Sequence, residues 1–107
     1  MDAIRVLIAE DHTLVREGTR DILQREPDLS VVAEADRGDS ALSLLQAAEP
    51  DVALVDLRLP GLSGIETARL AADAGLATRV VILSAFDDEE YVVAALDAGA
   101  EIGRAHV

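Results

Sequence analysis

Three acids and one hydroxyl stand at the ends of short apolar segments of the chain. Glu10 and Asp11 follow the run "IRVLIA", Asp56 follows "VALV", and Ser84 follows "VVIL". Burying an unpaired carboxylate is costly, so an acid at the end of a buried segment needs a compensating partner. Three acids in one cleft repel one another, and a divalent cation is the natural partner. A set of oxygen donors without cysteine favours Mg²⁺ over Zn²⁺.

These residue types suit the transfer of a phosphoryl group onto a carboxylate. An aspartate beside a bound magnesium ion can act as a nucleophile toward phosphorus and form an aspartyl phosphate. The ion offsets charge on the transferring group and positions it for in-line attack. The hydroxyl of Ser84 can then donate a hydrogen bond to the new phosphoryl oxygens. Phosphorylation adds a charge of roughly −1.5 to −2, which is enough to reorganise neighbouring loops.

Whether these residues meet depends on the elements that carry them. Four nearly continuous apolar segments, at 4–9, 31–33, 52–55 and 80–83, are typical of strands covered on both faces. They alternate with segments of helical periodicity, which predicts the order β-α-β-α-β-α-β-α. Parallel strands joined by right-handed crossovers form a doubly wound α/β sheet. Ligands bind such sheets at the carboxyl ends of the strands, where these acids lie.

Four helices are predicted between and after the strands. In the first, Leu14, Val15, Ile22 and Leu23 lie on one face, and Pro27 ends the pattern. The second is "DSALSLLQAAEP". The third, "SGIETARLAADAG", opens with a capping pair, Ser63 and Glu66, and stops at Gly75; the fourth, "DDEEYVVAALDAG", opens with acids at 87–90 that suit a solvated helix start.

Composition limits the class of protein. A length of 107 residues indicates one small domain, and 50% hydrophobic with 2% aromatic residues predicts a core of Leu, Val, Ile and Ala. A net charge of −12 argues against nucleic-acid binding by this segment, since that affinity rests on Lys and Arg. No cysteine and no membrane-length apolar run occur in the sequence, which predicts a soluble, cytoplasmic chain.

Four motifs resemble a known family in order and spacing. "VLIAEDHTLVREGTRDIL", "PDVALVDLRLPGLSGIE", "VVILSAF" and "AALDAGA" are similar to the receiver domain of two-component response regulators, from about Ile4 to Ala100. "AEDHTLVREG" resembles the NarL/FixJ-type subclass, whose receivers precede a LuxR-type helix-turn-helix domain. The resemblance implies the flavodoxin-like (CheY-like) receiver fold.

The resemblance also implies roles for single residues. Asp56 would be the phosphoacceptor and a metal ligand. Asp11 would bind Mg²⁺ directly, Glu10 would assist, and the backbone carbonyl of Arg58 would add a further ligand. Ser84 would be the switch residue that follows the phosphoryl group.

Other matched positions would shape the site without chemistry of their own. Ala85 would leave room beside the phosphoryl group, and Pro60 and Gly64 would shape the loop after the acceptor. The implied partners are a sensor histidine kinase, a second copy upon phosphorylation, and DNA only through a C-terminal domain outside this chain. No membrane contact is expected. His12 is expected to be exposed and to act neither as a metal ligand nor as a base.

The end of the chain departs from the family pattern. Receivers continue after "DAGA" with a fifth strand, a lysine and a fifth helix, whereas this sequence reads "EIGRAHV" and contains no lysine. Because "IGRAHV" is also the translation of a common sequencing adapter, residues 1–100 are interpreted as an incomplete receiver and 101–107 as a non-native tail. The sheet is then expected to lack its fifth strand and fifth helix. An apolar fourth-strand edge, poor stability and weak or absent phosphorylation would follow.

Three alternatives compete with this interpretation. Glu10 and Asp11 could simply cap the first helix. A Mg²⁺-dependent phosphatase of the haloacid-dehalogenase type also uses an aspartyl nucleophile, but it needs a second aspartate where Arg58 stands. A flavodoxin-like cofactor binder would need a Ser/Thr/Gly-rich loop after the first strand, where "EDHTLV" is acidic and repels phosphate.

Overall fold

Alternating apolar runs and amphipathic segments produce the predicted βα alternation in the computed structural model, which describes residues 3–84 and 101–104. The elements are β1 (Ile4–Ala9), α1 (Thr13–Gln24), β2 (Leu29–Ala35), α2 (Gly38–Ala48), β3 (Val52–Asp56), α3 (Gly64–Asp73), β4 (Arg79–Ser84) and β5 (Glu101–Arg104). All neighbouring strands are parallel, in the order β2-β1-β3-β4-β5. The predicted doubly wound, flavodoxin-like sheet is confirmed.

The strand order reverses after β2, and this reversal sets the two helical layers. Right-handed crossovers place α1 on one face of the sheet and α2 and α3 on the other. The third helix starts as its sequence predicts. Ser63 accepts a hydrogen bond from the main-chain N–H of Glu66 at 3.1 Å, and the Glu66 carboxylate accepts one from the Ser63 N–H at 3.4 Å. Gly75 takes a left-handed conformation (φ 72°) just after the helix.

The expectation that the sheet lacks a fifth strand was wrong. Glu101–Arg104 pairs in parallel with β4, from Val81 opposite Glu101 to Ser84 opposite Arg104. The segment "EIGRAHV" carries few side-chain signals of a strand, since it contains Gly103 and shows little apolar alternation. Ladder hydrogen bonds join main-chain N–H and C=O groups, so the open edge of β4 accepts a segment whatever its side-chain pattern. The backbone of β4 is therefore not an uncovered edge. The predicted fourth helix lies outside the described residues.

The core between the sheet and its helices is aliphatic, as the composition predicts. Fully buried side chains come from the centres of the strands and from the inner faces of α2 and α3, among them Leu7, Val55, Ile82 and Leu45. Thr67 is the buried polar residue of the described part of the chain, and its hydroxyl donates to the Ser63 carbonyl at 2.8 Å. No helix within 3–84 is long and apolar enough to span a membrane.

Helix α1 differs from the other two helices because none of its residues is buried. Three residues of its apolar face are exposed, Leu14 to 83%, Ile22 to 63% and Val15 also, whereas Leu23 is half-buried. Periodicity correctly predicted an amphipathic helix, but it does not say which element covers the apolar side. This face contributes little burial to the stability of the described domain.

A leucine-to-alanine substitution should therefore have very different costs on two helices. Leu45→Ala on α2 removes a side chain with no solvent exposure, so we expect a loss of about 2–5 kcal/mol in the free energy of unfolding. Leu14→Ala on α1 should change it by less than about 0.5 kcal/mol. Urea denaturation followed by circular dichroism measures both. Equal losses at the two positions would contradict the exposed placement of α1.

The start of α2 lies against the loop that follows β3. The Gly38 N–H donates to the Pro60 carbonyl at 3.0 Å, and the Thr67 hydroxyl lies 3.5 Å from the Gly38 carbonyl. A Cβ added at Gly38 would collide with the backbone carbonyl of Leu62. Only glycine lets helix and loop come this close.

Glycine-to-alanine changes test this close approach. Gly38→Ala should lower the free energy of unfolding by about 1–3 kcal/mol, because backbone atoms must move to admit the methyl group. Gly18→Ala is the matched control: nothing lies within 4 Å of its added Cβ. Within helix α1 that control should be stabilised by about 0.5–1 kcal/mol. Thermal or urea unfolding measures the stability of both variants. A Gly38→Ala variant more stable than the parent would contradict the close contact between α2 and the loop after β3.

Candidate functional site

The register of the sheet brings the predicted acids to one edge. Ala9 pairs with Val55, so Glu10 and Asp56 are the next residues of two adjacent strands. Asp56 in turn pairs with Leu83, which places Ser84 one residue further along β4 at the same edge. The two loops and the strand end predicted from the sequence therefore meet in space.

Asp56 ends β3 and is partly buried. Its pKa is raised from the ordinary value of 3.8 to about 6. Burial is the largest cause, and the negative charges of Glu10 and Asp11 add to it. The hydrogen bond from the Leu57 N–H opposes the shift by stabilising the carboxylate. The three predicted acids thus interact electrostatically, and their repulsion contributes to the raised pKa of Asp56.

Glu10 is held by its main chain and by a neighbouring side chain. Its N–H donates to the Ala35 carbonyl of β2 at 2.9 Å. Its Oε1 accepts a hydrogen bond from the His12 N–H at 3.2 Å and lies 2.8 Å from His12 Nδ1. Glu10 thus accepts a hydrogen bond at the start of α1, as the capping alternative expects. The N-cap residue, however, is His12, and its own side chain makes no capping hydrogen bond.

His12 is exposed, as expected, but it belongs to the acidic cluster. Its Nδ1 also lies 3.2 Å from Asp11 Oδ1. The hydrogen bond with Glu10 and the charges of Asp11 and Glu10 raise the pKa of the His12 imidazole. A protonated imidazole here partly offsets the two acids. Sequence reasoning missed this contact, although the run "EDH" at a helix start places the ring beside both carboxylates.

The donor set fits a hard cation. Ligand atoms of Glu10, Asp11 and His12 lie within 4.8 Å of one another, and the charge of Asp56 acts on the same space. Carboxylate oxygens are the donors that Mg²⁺ prefers. Arg58, whose carbonyl completes the predicted set, lies exposed in the turn after β3. The three residues whose ligand atoms lie close together include His12, whereas the predicted metal ligands include Asp56. Glu10 and Asp11 are common to both groups.

Main-chain contacts shape the loop that follows Asp56. The Gly64 N–H donates to the Leu57 carbonyl at 3.0 Å, and a Cβ at Gly64 would collide with the Asp56 carbonyl. The Pro60 carbonyl accepts from α2, as described above. Both residues have the backbone-shaping surroundings expected of them. Ala85 and the acids at 87–90 lie outside the described residues.

Comparison with known proteins identifies the family. The profile of the response regulator receiver domain matches residues 6–102. The chain is a response regulator receiver domain. Receiver domains bind Mg²⁺ at an acidic site, which here corresponds to the Glu10–Asp11 cluster. The family acts in signalling, and nothing in the comparisons supports the phosphatase alternative.

Curated relatives are transcriptional regulators. The chain is 43% identical over 99 residues to the uncharacterized transcriptional regulatory protein YxjL of Bacillus subtilis, covering 92% of the chain and 45% of the relative. It is 36% identical over 96 residues to the nitrate/nitrite response regulator protein NarL of Escherichia coli, covering 90% and 44%. The receiver therefore spans about half the length of the curated relatives it matches.

Solved structures agree with the fold. The receiver domain of the putative response regulator NarL from Mycobacterium tuberculosis superposes with a TM-score of 0.95 at 40% identity, over 97% of this chain and 85% of that one. A LuxR-family two-component response regulator from Aurantimonas gives 0.88 at 35% identity, over 94% and 72%. The predicted NarL-type resemblance is confirmed.

The raised pKa of Asp56 predicts how stability depends on pH without metal. The folded chain holds this proton up to about pH 6, whereas the unfolded chain releases it near 3.8. Ionisation of Asp56 therefore destabilises the fold, and the free energy of unfolding should fall as pH rises through that window. Asp56→Asn escapes this loss. Near pH 8, with a chelator present, we expect the free energy of unfolding of the variant to be higher than that of the parent by on the order of 1 kcal/mol, after allowing for solvent screening.

Near pH 4 the parent and Asp56→Asn should have similar stabilities, because the carboxyl group is then mostly neutral in the folded chain. Asp73→Asn, at the far end of α3, is the control for loss of one exposed charge. An Asp56→Asn advantage that is the same at both pH values would contradict the assignment.

Proposed function

We propose that this receiver accepts a phosphoryl group from a sensor histidine kinase on Asp56. The supporting observation is the position of Asp56 at the end of β3. Its carboxylate is half-buried, its pKa is about 6, and the negative charges of Glu10 and Asp11 disfavour its ionised form. An acid so destabilised in its ionised form gains from a bound cation, and a carboxylate of raised pKa is the more basic and more nucleophilic toward phosphorus.

The reaction is an in-line displacement at phosphorus. One Asp56 carboxylate oxygen attacks the phosphorus atom, a new P–O bond forms, and the bond to the donor breaks with its electron pair leaving on the donor. The attacking group must be ionised, and above about pH 6 Asp56 is mainly so even without metal. Asp56 is only partly buried at the end of β3, so it remains in contact with solvent.

The side chains of Asp11, Glu10 and Asp56 and the backbone carbonyl of Arg58 would hold Mg²⁺. When bound, Mg²⁺ offsets negative charge on the transferring group and favours the ionised form of Asp56. Before binding, His12 supplies part of the compensating charge through its contacts at 2.8 and 3.2 Å. In this proposal Mg²⁺ would displace the His12 imidazole from the carboxylates of Glu10 and Asp11.

The output of the switch lies beyond the chain. Ser84, at the end of β4 next to Asp56, would donate to the phosphoryl oxygens and report the modification. The curated relatives YxjL and NarL are named as a transcriptional regulatory protein and a nitrate/nitrite response regulator, and this chain covers 45% and 44% of their lengths. We propose that a DNA-binding, transcriptional output domain follows this receiver in its full protein, that phosphorylation favours a homodimer, and that both act in the cytoplasm, where a kinase has ATP.

Two boundaries belong to the same proposal. Residues 1–100 form the receiver, and 101–107 are a non-native tail, of which Glu101–Arg104 pairs through its backbone with β4. Backbone pairing is compatible with this origin, since it does not depend on side-chain pattern.

Labelling with a small phosphodonor tests the acceptor. Incubation with acetyl phosphate and Mg²⁺ should add one phosphoryl group by intact-mass measurement, and hydroxylamine should remove it. Asp56→Asn and chelation of Mg²⁺ should each abolish the gain. Asp51→Asn, just before the opposite end of β3, is the matched control and should be labelled like the parent.

Labelling that persists in Asp56→Asn would overturn the assignment, and so would a parent chain that never gains a phosphoryl group. The weak or absent phosphorylation predicted from the sequence, which contains no lysine, stays a prediction, and the same time course measures it.

A further inference from the structure

We propose that Arg16 is a positioning residue that fastens the acidic loop after β1 to strand β2 and thereby sets the affinity of the site for a divalent cation. This rests on the proposed function for the identity of the site. The contacts that support it belong to α1 and β2.

Arg16 contacts two groups at once. Its Nη1 donates to the backbone carbonyl of Glu10 at 2.7 Å, a short bond in a partly buried place. Its Nε lies 3.7 Å from Oε1 of Glu34. The Arg16 side chain is 20% exposed. A planar guanidinium has donors in a fixed fork, so one side chain can join these two acceptors at a set angle.

Glu34 is itself a fixed anchor. It lies on β2 opposite Ile8 of β1 in the ladder, so its backbone cannot drift relative to the start of the acidic loop. Arg20, one turn after Arg16 on the same face of α1, reaches the other carboxylate oxygen of Glu34 at 3.5 Å. The Glu34 carboxylate thus lies between two guanidinium groups.

The Glu10 carbonyl belongs to the peptide unit that joins Glu10 to Asp11. That unit is planar, so fixing its oxygen fixes the direction of the chain into Asp11. On the other side of Glu10, the N–H is already held by the Ala35 carbonyl at 2.9 Å. Both main-chain groups of Glu10 are therefore occupied, and its carboxylate and that of Asp11 are presented together despite their repulsion.

The arrangement offers a control within the same helix. Arg16 and Arg20 have the same charge and both approach Glu34, but the contact with the Glu10 carbonyl is made by Arg16. A role that is merely structural, through the ion pair with Glu34, would be shared by the two residues. A role in positioning the acidic loop belongs to Arg16.

Mg²⁺ titration by calorimetry on the full chain tests the difference. Arg16→Gln should weaken Mg²⁺ binding by about tenfold, the lower end of the effect of residues that orient metal ligands. Arg20→Gln should keep the affinity of the parent. Arg16→Lys, which keeps the charge and loses the fork, should fall between them. Circular dichroism should show both Arg16→Gln and Arg20→Gln folded at the temperature of the titration, so the difference in affinity is not one of unfolding.

Amide hydrogen exchange in the presence of a chelator gives a readout that needs no metal. The main-chain N–H groups of Glu10 and His12, which donate to the Ala35 carbonyl and to Glu10 Oε1, should exchange faster in Arg16→Gln than in the parent or in Arg20→Gln. Equal exchange and equal Mg²⁺ affinity in the two glutamine variants would overturn the inference. A parent that binds no Mg²⁺ would instead overturn the proposed function, and the exchange rates would still decide the role of Arg16.

Should Arg16→Gln fail to fold, Glu34→Gln loosens the same contact from β2. Faster exchange of the Glu10 and His12 N–H groups in that variant supports the inference, and unchanged exchange contradicts it.

Discussion

Repulsion among Glu10, Asp11 and Asp56, concentrated where two adjacent parallel strands end, is the constraint that the rest of this structure serves. Burial and two neighbouring charges raise the pKa of Asp56 to about 6, so the folded chain holds an acid that is costly to ionise. That cost makes the edge of the sheet receptive to a cation and makes Asp56 reactive toward an electrophile. A relaxed aspartate on an open surface would have neither property.

The acids stay together because main-chain groups hold the loops that carry them. The Glu10 N–H is tied to Ala35, its carbonyl to Arg16, and the loop after Asp56 is tied through Leu57 to Gly64. These bonds use none of the oxygens of the acidic side chains. Apart from the His12 N–H, which donates to Glu10 Oε1 at 3.2 Å, the main chain positions the acids without using their carboxylate oxygens, so these stay available to a cation.

Helix α1 is attached in a different way from α2 and α3. The latter two bury alanines and leucines against the sheet, whereas α1 has no buried residue and exposes Leu14 and Ile22. Polar contacts from Arg16 to the loop after β1 and from Arg20 to β2 accordingly help to fix its position. The helix next to the metal-binding loop is thus held by directional contacts, whose geometry matters more than that of a hydrophobic contact.

The sequence by itself determined the order of strands and helices, the aliphatic core, the Ser63–Glu66 capping box and the acids at the strand ends, because each of these follows from local pattern and from the geometry of parallel sheets. Tertiary structure decided the rest. Periodicity indicates that a helix has an apolar face but not what covers it. The exposure of the apolar side chains of α1 therefore could not be predicted from the sequence. Main-chain pairing ignores side-chain pattern, so β5 was missed. His12 and Arg16 act through contacts set by the loop after β1, and their distances to Glu10 exist only once that loop is folded.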